Sequence, residues 1–365
     1  MQKSCFSYPV EFAEDVFGES AVLADVLKKA TGSDEPKVLL VADLNVVQRT
    51  EGIGSKIGRY VQAHGIRLAG SPVVISGGEK AKADNLQSAL KVVSAALSAK
   101  VGRNDVVLAL GGGAILDVAG WAAAQVRGGM KLVRLPTTPA AMMDAVFADY
   151  AALDSATVKD ALRVPSVPAA AVIDTSFAPS VLDGVWRGGI GEAMRLAVSS
   201  DAAFMKRLVK ALPGYRERKP EALLQIVGDV CKVRAKKGPS SVGLWAALRL
   251  ESMSGYKLPH GYAVSIGLCI DLGYAVERGL MKAGDRDDVV KLLGECGALD
   301  GLNHSSHLLG QADKLLFGLD AWALSSGNPA FAFPAGIGKV KEDPAPDREI
   351  LRKVLKEVAS LPSGR

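Results

Sequence analysis

The chain has 365 residues, 48% of them hydrophobic, enough to bury a large core and more readily two domains than one. Its 44 basic and 39 acidic side chains leave a net charge of +5, too mild a balance for a nucleic-acid-binding surface. No apolar stretch approaches the roughly 18 residues of a membrane span, and the acids in "MQKSCFSYPVEFAEDVFGES" argue against a signal peptide, so no membrane partner is expected.

Taken in chain order, short apolar runs alternate with helical patterns. "KVLLVAD" (37–43) reads as a buried strand, "GSKIGRYVQAHGI" (54–66) as a helix and "SPVVIS" (71–76) as a strand. A long amphipathic helix is expected over 82–99, then strands at "DVVLAL" (105–110), "KLVRLP" (131–136) and "AAAVID" (169–174). Continuous apolar strands between helices predict a parallel sheet covered on both faces. Beyond residue 180 the pattern turns helical, with single helices expected over 191–212, 220–237, 263–281 and 347–361. The only later strand candidate is "AFAFPAGIGKV" (330–340), and "TSFAPSVLDGVWRGG" (175–189) reads as the linker. The fold class expected is α/β: a Rossmann-like parallel-sheet domain over 1–180, then a mostly helical domain over 181–365. Cys5, Cys231, Cys269 and Cys296 are scattered without a C-x-x-C pair, as for reduced thiols in the cytoplasm. The basic clusters at 206–210, 216–219 and 234–238 read as solvated helix faces. His64, His304 and His307 fall in loop-like polar stretches.

The stretch "LALGGGAILDVAGWAAA" (108–124) ends a strand in three glycines and starts a helix at once, with Asp117 in its first turn. Gly111, Gly112 and Gly113 have no Cβ to keep a pyrophosphate from the backbone, and the helix offers its positive end. The pattern is not G-x-G-x-x-G, so a standard dinucleotide fingerprint is not present. Three neighbouring strand ends are also polar: Asp43 and Asn45 in "VADLNV", Glu79 and Lys82 in "SGGEKAK", and Thr137 and Thr138 in "PTT". Ligands of open α/β sheets bind at such ends, so together they favour a nucleotide site.

The order of these blocks resembles the dehydroquinate synthase-like sugar phosphate cyclases, relatives of glycerol dehydrogenase. "GGGAILDVAGWAAA", "LPTTPAAMMDA", "AAAVIDTSF", "GGIGEAMRLAV" and "LPHGYAVSIGL" carry the resemblance, over roughly residues 37 to 285. It implies a Rossmann-like domain holding NAD and a helical domain contributing a divalent metal, zinc or cobalt. It also implies a homodimer and a small sugar phosphate substrate. The implied reaction is that of a carbon–oxygen lyase: a ring hydroxyl is transiently oxidised, phosphate is eliminated, the carbonyl is reduced again and the ring recloses. Matched residue by residue, the NAD contacts would be Asp43, Asn45, Glu79, Lys82, Gly111 to Gly113, Asp117, Thr137, Thr138 and Phe177. Asp144, Tyr150, Lys159 and Arg195 would form the catalytic set, and Glu192 and His260 the metal ligands.

The match fails in the chemistry half. The family's middle metal ligand, a His 16 positions before His260, is Leu244 here, and its catalytic His is Leu248; only Glu251 survives from that segment. The active-site Lys of G-G-K-T is Tyr150, which could act as acid or base if its pKa were lowered; the Lys of E-x-x-K is Arg195; and Asp160 replaces an Asn. Catalytic zinc takes three protein ligands and a water, so a site with two is doubtful, and efficient dehydroquinate synthesis is not expected. Three functions follow: an NAD-using cyclase for a related sugar phosphate, a non-catalytic NAD-binding paralogue acting as regulator or partner subunit, and an NAD-dependent polyol dehydrogenase of the iron/zinc type.

Overall fold

The computed structural model describes residues 8–327 and 330–362, so Cys5 lies outside the described residues. The chain divides into two compact units. Among the described residues, one holds those up to Ser155 together with Asp160–Val181, and the other holds Ala156–Lys159 with those from Leu182 onward.

The first unit is built on a seven-stranded parallel sheet. Its strands are β1 (Val10–Phe12), β2 (Lys37–Asp43), β3 (Arg67–Leu68), β4 (Val73–Ile75), β5 (Val106–Gly111), β6 (Lys131–Pro136) and β9 (Ala170–Ile173). They lie in the order β1-β9-β6-β5-β2-β3, with β4 beside the end of β2. Strand β2 shows why the apolar runs are continuous: Leu39 and Val41 enter one buried cluster, while Val38, Leu40 and Ala42 enter the other. Alternate side chains go to opposite faces, and here both faces are covered. The helix Gly113–Gln125 is buried on nearly every side, which accounts for its run of Ala and Gly. A small antiparallel pair, β7 (Tyr150–Leu153) with β8 (Leu162–Pro165), packs against it where Gly120 leaves room.

Among the described residues the second unit has nine helices, of which His260–Glu277 is buried continuously from Gly261 to Ala275. It crosses the helix Asp183–Ser200 at a point where both backbones are bare. A Cβ on Gly188 would lie 2.8 Å from Tyr262 N, and one on Gly261 would overlap Gly188 itself. The only sheet of this unit among the described residues is the hairpin β10 (Phe331–Pro334) and β11 (Val340–Asp343).

Several expectations need correction. The helix expected over 191–212 is two, Asp183–Ser200 and Ala202–Arg216, because Asp201 is extended (φ −157°) and caps the second through Phe204 N at 2.8 Å. The linker over 175–189 is a 3₁₀ turn, Thr175–Ser180, followed at Asp183 by helix. The helix over 82–99 starts only at Gln87, since Asn85 and Leu86 have φ of 57° and 68°. The strand over 330–340 is a hairpin. His304 and His307 lie within the helix Leu302–Leu309, and His64 ends the helix Ile53–Ala63 with its ring 4.4 Å from that of Tyr60. No helix among the described residues is long and apolar enough to cross a membrane.

Candidate functional site

Since the sheet is parallel, the turns after β2, β4, β5 and β6 leave from one edge. The register pairs Asp43 with Ile75 and Gly111 with Pro136, so the four strand ends are level. Strand order reverses between β2 and β5, where open α/β sheets form a crevice. A Cβ on Gly111 would meet Ile115 Cβ at 2.8 Å and Asp43 Cβ at 3.0 Å; on Gly112 it would meet Thr138 Cγ2 at 3.2 Å, and on Gly113 Ala145 Cβ at 3.3 Å. The helix begun there has no side-chain cap, so its first N–H groups remain suited to an anion. The bare glycines let the turn pack closely against Asp43, Thr138 and Ala145, and the uncapped helix start beside them suits a pyrophosphate.

The polar residues around it play unequal parts. Asp43 Oδ1 accepts from Asn45 N at 2.8 Å and from Asn45 Nδ2 at 3.0 Å, so Asn45 orients the carboxylate. Thr138 Oγ1 caps its own helix by accepting from Ala141 N at 3.3 Å, whereas Thr137 N donates to Gly111 O at 3.0 Å. Asp144 ends the helix Pro139–Met143. Phe177 is buried in the apolar cluster on one face of the sheet, together with Leu110 and Val133.

Lys82 is enclosed by carboxylates. Its Nζ lies 2.6 Å from Asp117 Oδ2, 2.8 Å from Asp160 Oδ1 and 3.8 Å from Asp154 Oδ1. Burial opposes the ammonium, but Asp117, Asp160, Asp154 and Glu79 hold its pKa well above the ordinary lysine value. Asp160 is fixed in a left-handed conformation (φ 53°), with its N–H donating to Asp154 Oδ1 at 2.8 Å. Burial, then the charge of Asp160, push the Tyr150 pKa up to about 12, the opposite direction to the one acid–base work would need, although the Arg163 guanidinium stands 4.8 Å from its ring.

The helical unit brings together Lys159, Glu192, Arg195, Glu251 and His260. The glycine crossing sets Glu192 Oε1 3.0 Å from His260 Nε2, and the other ring nitrogen, Nδ1, is 2.7 Å from Glu251 Oε1. Arg195 Nε donates to Glu192 Oε2 at 3.1 Å, with a shorter contact from Nη2, and Arg195 Nη1 also donates to the Ser240 carbonyl. Lys159 Nζ lies 3.1 Å from Glu251 Oε2, a charge contact outside hydrogen-bond geometry. Burial opposes its charge, yet Glu192 is held well below the usual carboxylate range by Arg195 and His260. His260 is held well above the ordinary imidazole value, against burial, by Glu251 and Glu192. These residues do not fit a divalent ion: among the described residues no three His, Cys, Asp or Glu side chains converge to hold one.

Motif reading left two members of these clusters unassigned. Asp154 is 72 positions from Lys82 and sits in no recognisable pattern. Gly77, whose Cβ would collide with the Asp43 carboxylate, is hidden in a turn where either of two glycines could have been the constrained one.

Comparison with known proteins agrees with this division. The family model described as 3-dehydroquinate synthase N-terminal matches residues 72–184, and that described as 3-dehydroquinate synthase C-terminal matches 241–308. A 3-dehydroquinate synthase of Acidithiobacillus ferrooxidans is 26% identical over 345 residues, 91% of this chain and 90% of that protein. One from Legionella pneumophila subsp. pneumophila is 30% identical over 250 residues, 65% of this chain and 67% of that protein. The fold matches ValA, a 2-epi-5-epi-valiolone synthase from Streptomyces hygroscopicus subsp. jinggangensis 5008 solved with NAD+ and Zn2+ bound, at a TM-score of 0.81 and 24% identity, over 97% of each chain. With sheet and helical units both matched, the chain belongs to the 3-dehydroquinate synthase-like family of sugar phosphate cyclases.

Proposed function

We propose that this chain is an NAD-binding sugar phosphate cyclase homologue whose sheet unit holds the dinucleotide. The observation that carries the reading is the Gly111–Gly113 cradle at an uncapped helix start, level with Asp43 at the switch between β2 and β5. The pyrophosphate would lie on the backbone of Gly112 and Gly113, and Asp43, oriented by Asn45, would accept from a ribose hydroxyl. Bound there, NAD supplies a reversible hydride acceptor for a hydroxyl-bearing carbon. Lys82 and Asp117, held together at 2.6 Å, present a fixed ion pair near the same edge.

Calorimetric titration with NAD tests this reading. The wild type should bind, and Gly112→Val should weaken binding by at least about tenfold, since its branched side chain would press on Thr138 and shift the turn that presents the N–H groups. Equal affinity in the two proteins would refute it. A sugar phosphate of the heptulose or hexose class is the proposed substrate, transiently oxidised with loss of phosphate. A second reading, a non-catalytic NAD-binding paralogue, is favoured by one observation: Glu192, Arg195, Glu251, His260 and Lys159 are all engaged with one another. Inorganic phosphate released from such sugars, only when NAD is present, separates the two.

A further inference from the structure

We propose that the helical unit binds no divalent cation, and that Arg195 and Lys159, chained through Glu192, His260 and Glu251, occupy the electrostatic place of one. The argument stands apart from the NAD reading, because it concerns the other unit alone.

A metal ligand needs a free lone pair aimed into a shared space. His260 has two in-plane nitrogens, and both face carboxylate oxygens: Nε2 faces Glu192 Oε1 at 3.0 Å and Nδ1 faces Glu251 Oε1 at 2.7 Å. Glu192 Oε2 is taken by two nitrogens of Arg195. Glu251 Oε2 faces Lys159 Nζ at 3.1 Å. Five of these six donor atoms are thus hydrogen-bonded within the chain, and the sixth, Glu251 Oε2, has its charge contact with Lys159 alone. Leu244, Leu248 and Glu251 are at i, i+4 and i+7 of the helix Leu244–Met253 and therefore share one face. The face that delivers Glu251 to His260 otherwise presents hydrocarbon, so it supplies no third nitrogen.

Charge leads to the same conclusion. Two buried carboxylates, Glu192 and Glu251, are matched by two fixed cations, Arg195 and Lys159. Adding a dication would place more positive charge beside these cations, in a site where Glu192, Arg195 and Glu251 are each no more than 2% exposed. A lysine or guanidinium cannot be displaced from the site as a hydrated ion can, because the chain carries it.

The test is metal content. The full chain is incubated with excess zinc or cobalt, desalted and analysed by mass spectrometry of the elements, beside Leu244→His and Glu192→Gln. The wild type should retain less than about a tenth of an ion per chain, and its melting temperature should be the same in zinc and in chelator. Leu244→His restores a nitrogen on the Glu251 face and should raise retention several-fold over wild type. Metal retained equally by wild type and Glu192→Gln lies elsewhere and leaves the proposal standing. Near one ion per chain in wild type, lost in Glu192→Gln, overturns it. If Leu244→His fails to fold, wild-type retention and melting still decide.

Discussion

Lys82 sits at a buried centre of charge in the sheet unit. Three carboxylates surround one ammonium: Asp117 at 2.6 Å, Asp160 at 2.8 Å and Asp154 at 3.8 Å. Truncating the lysine would leave three buried or half-buried acids close together without their shared cation, with Arg163 still 3.4 Å from Asp160. Removing one partner of a buried pair typically costs about 3–5 kcal/mol, more than the pair contributes when intact. Lys82→Ala should therefore lose stability on that scale in urea unfolding. Asp160→Asn in the Lys82→Ala background removes one of the clustered negative charges, so the double variant should recover about 1–3 kcal/mol relative to the sum of the singles. Strict additivity would mean that Asp160 and Lys82 are not energetically coupled, whatever their separation.

At the scale of an element, the helix Leu244–Met253 depends on a single carboxylate from its neighbour. Its N-cap, Gly243 (φ 74°), has no side-chain cap of its own. Instead Asp271, in the middle of the buried helix His260–Glu277, accepts from Gly243 N and, through Oδ1, from Trp245 Nε1 at 2.9 Å. That bond seats the first turn of the helix whose far end carries Glu251 to His260. Burial raises Asp271 to about 7, with the Trp245 and Gly243 donors opposing. An unfolded aspartate titrates near about 4, so the folded state holds the proton more tightly. The stabilising contribution is then complete below about pH 4 and is lost as pH rises to about 7, with a limiting slope of about 1.4 kcal/mol per pH unit. Asp271→Asn cannot titrate. The stability of the wild type minus that of the variant, from urea unfolding between about pH 5 and 8, should fall as pH rises and level off above about 7. Parallel curves would show that Asp271 is ionised throughout the range.

For the whole molecule, what could be read in the sequence was what is local. Strand β2 alternates between two apolar clusters, so its run of apolar residues announces a strand covered on both faces. The glycines, Asp43 and the threonines are each a few residues from a strand end, and parallel pairing alone makes those ends level. The Lys82 cage was opaque because its partners are 35, 72 and 78 positions away, beyond any periodicity. The Glu192–His260 contact was legible as motifs but not as geometry, since it depends on Gly188 meeting Gly261 across two helices. The break at Asp201 is hidden in the sequence because an apolar pattern continues through it and only the N-cap marks the change. Ligand linkage follows from the division into units. If NAD is held at the Gly111 edge as proposed, it binds only the folded sheet unit, and at about a hundred times its dissociation constant it would stabilise that unit by about 2.7 kcal/mol. Amides of β2, β5 and β6 that exchange only by unfolding of the unit should then slow about 100-fold in hydrogen-exchange mass spectrometry of the full chain. Central strands whose exchange is untouched by saturating NAD would mean that the dinucleotide does not bind there, and the glycine turn would then be only a turn. If helix His260–Glu277 slows by the same factor, the two units unfold as one cooperative system; if it does not, each carries its own stability.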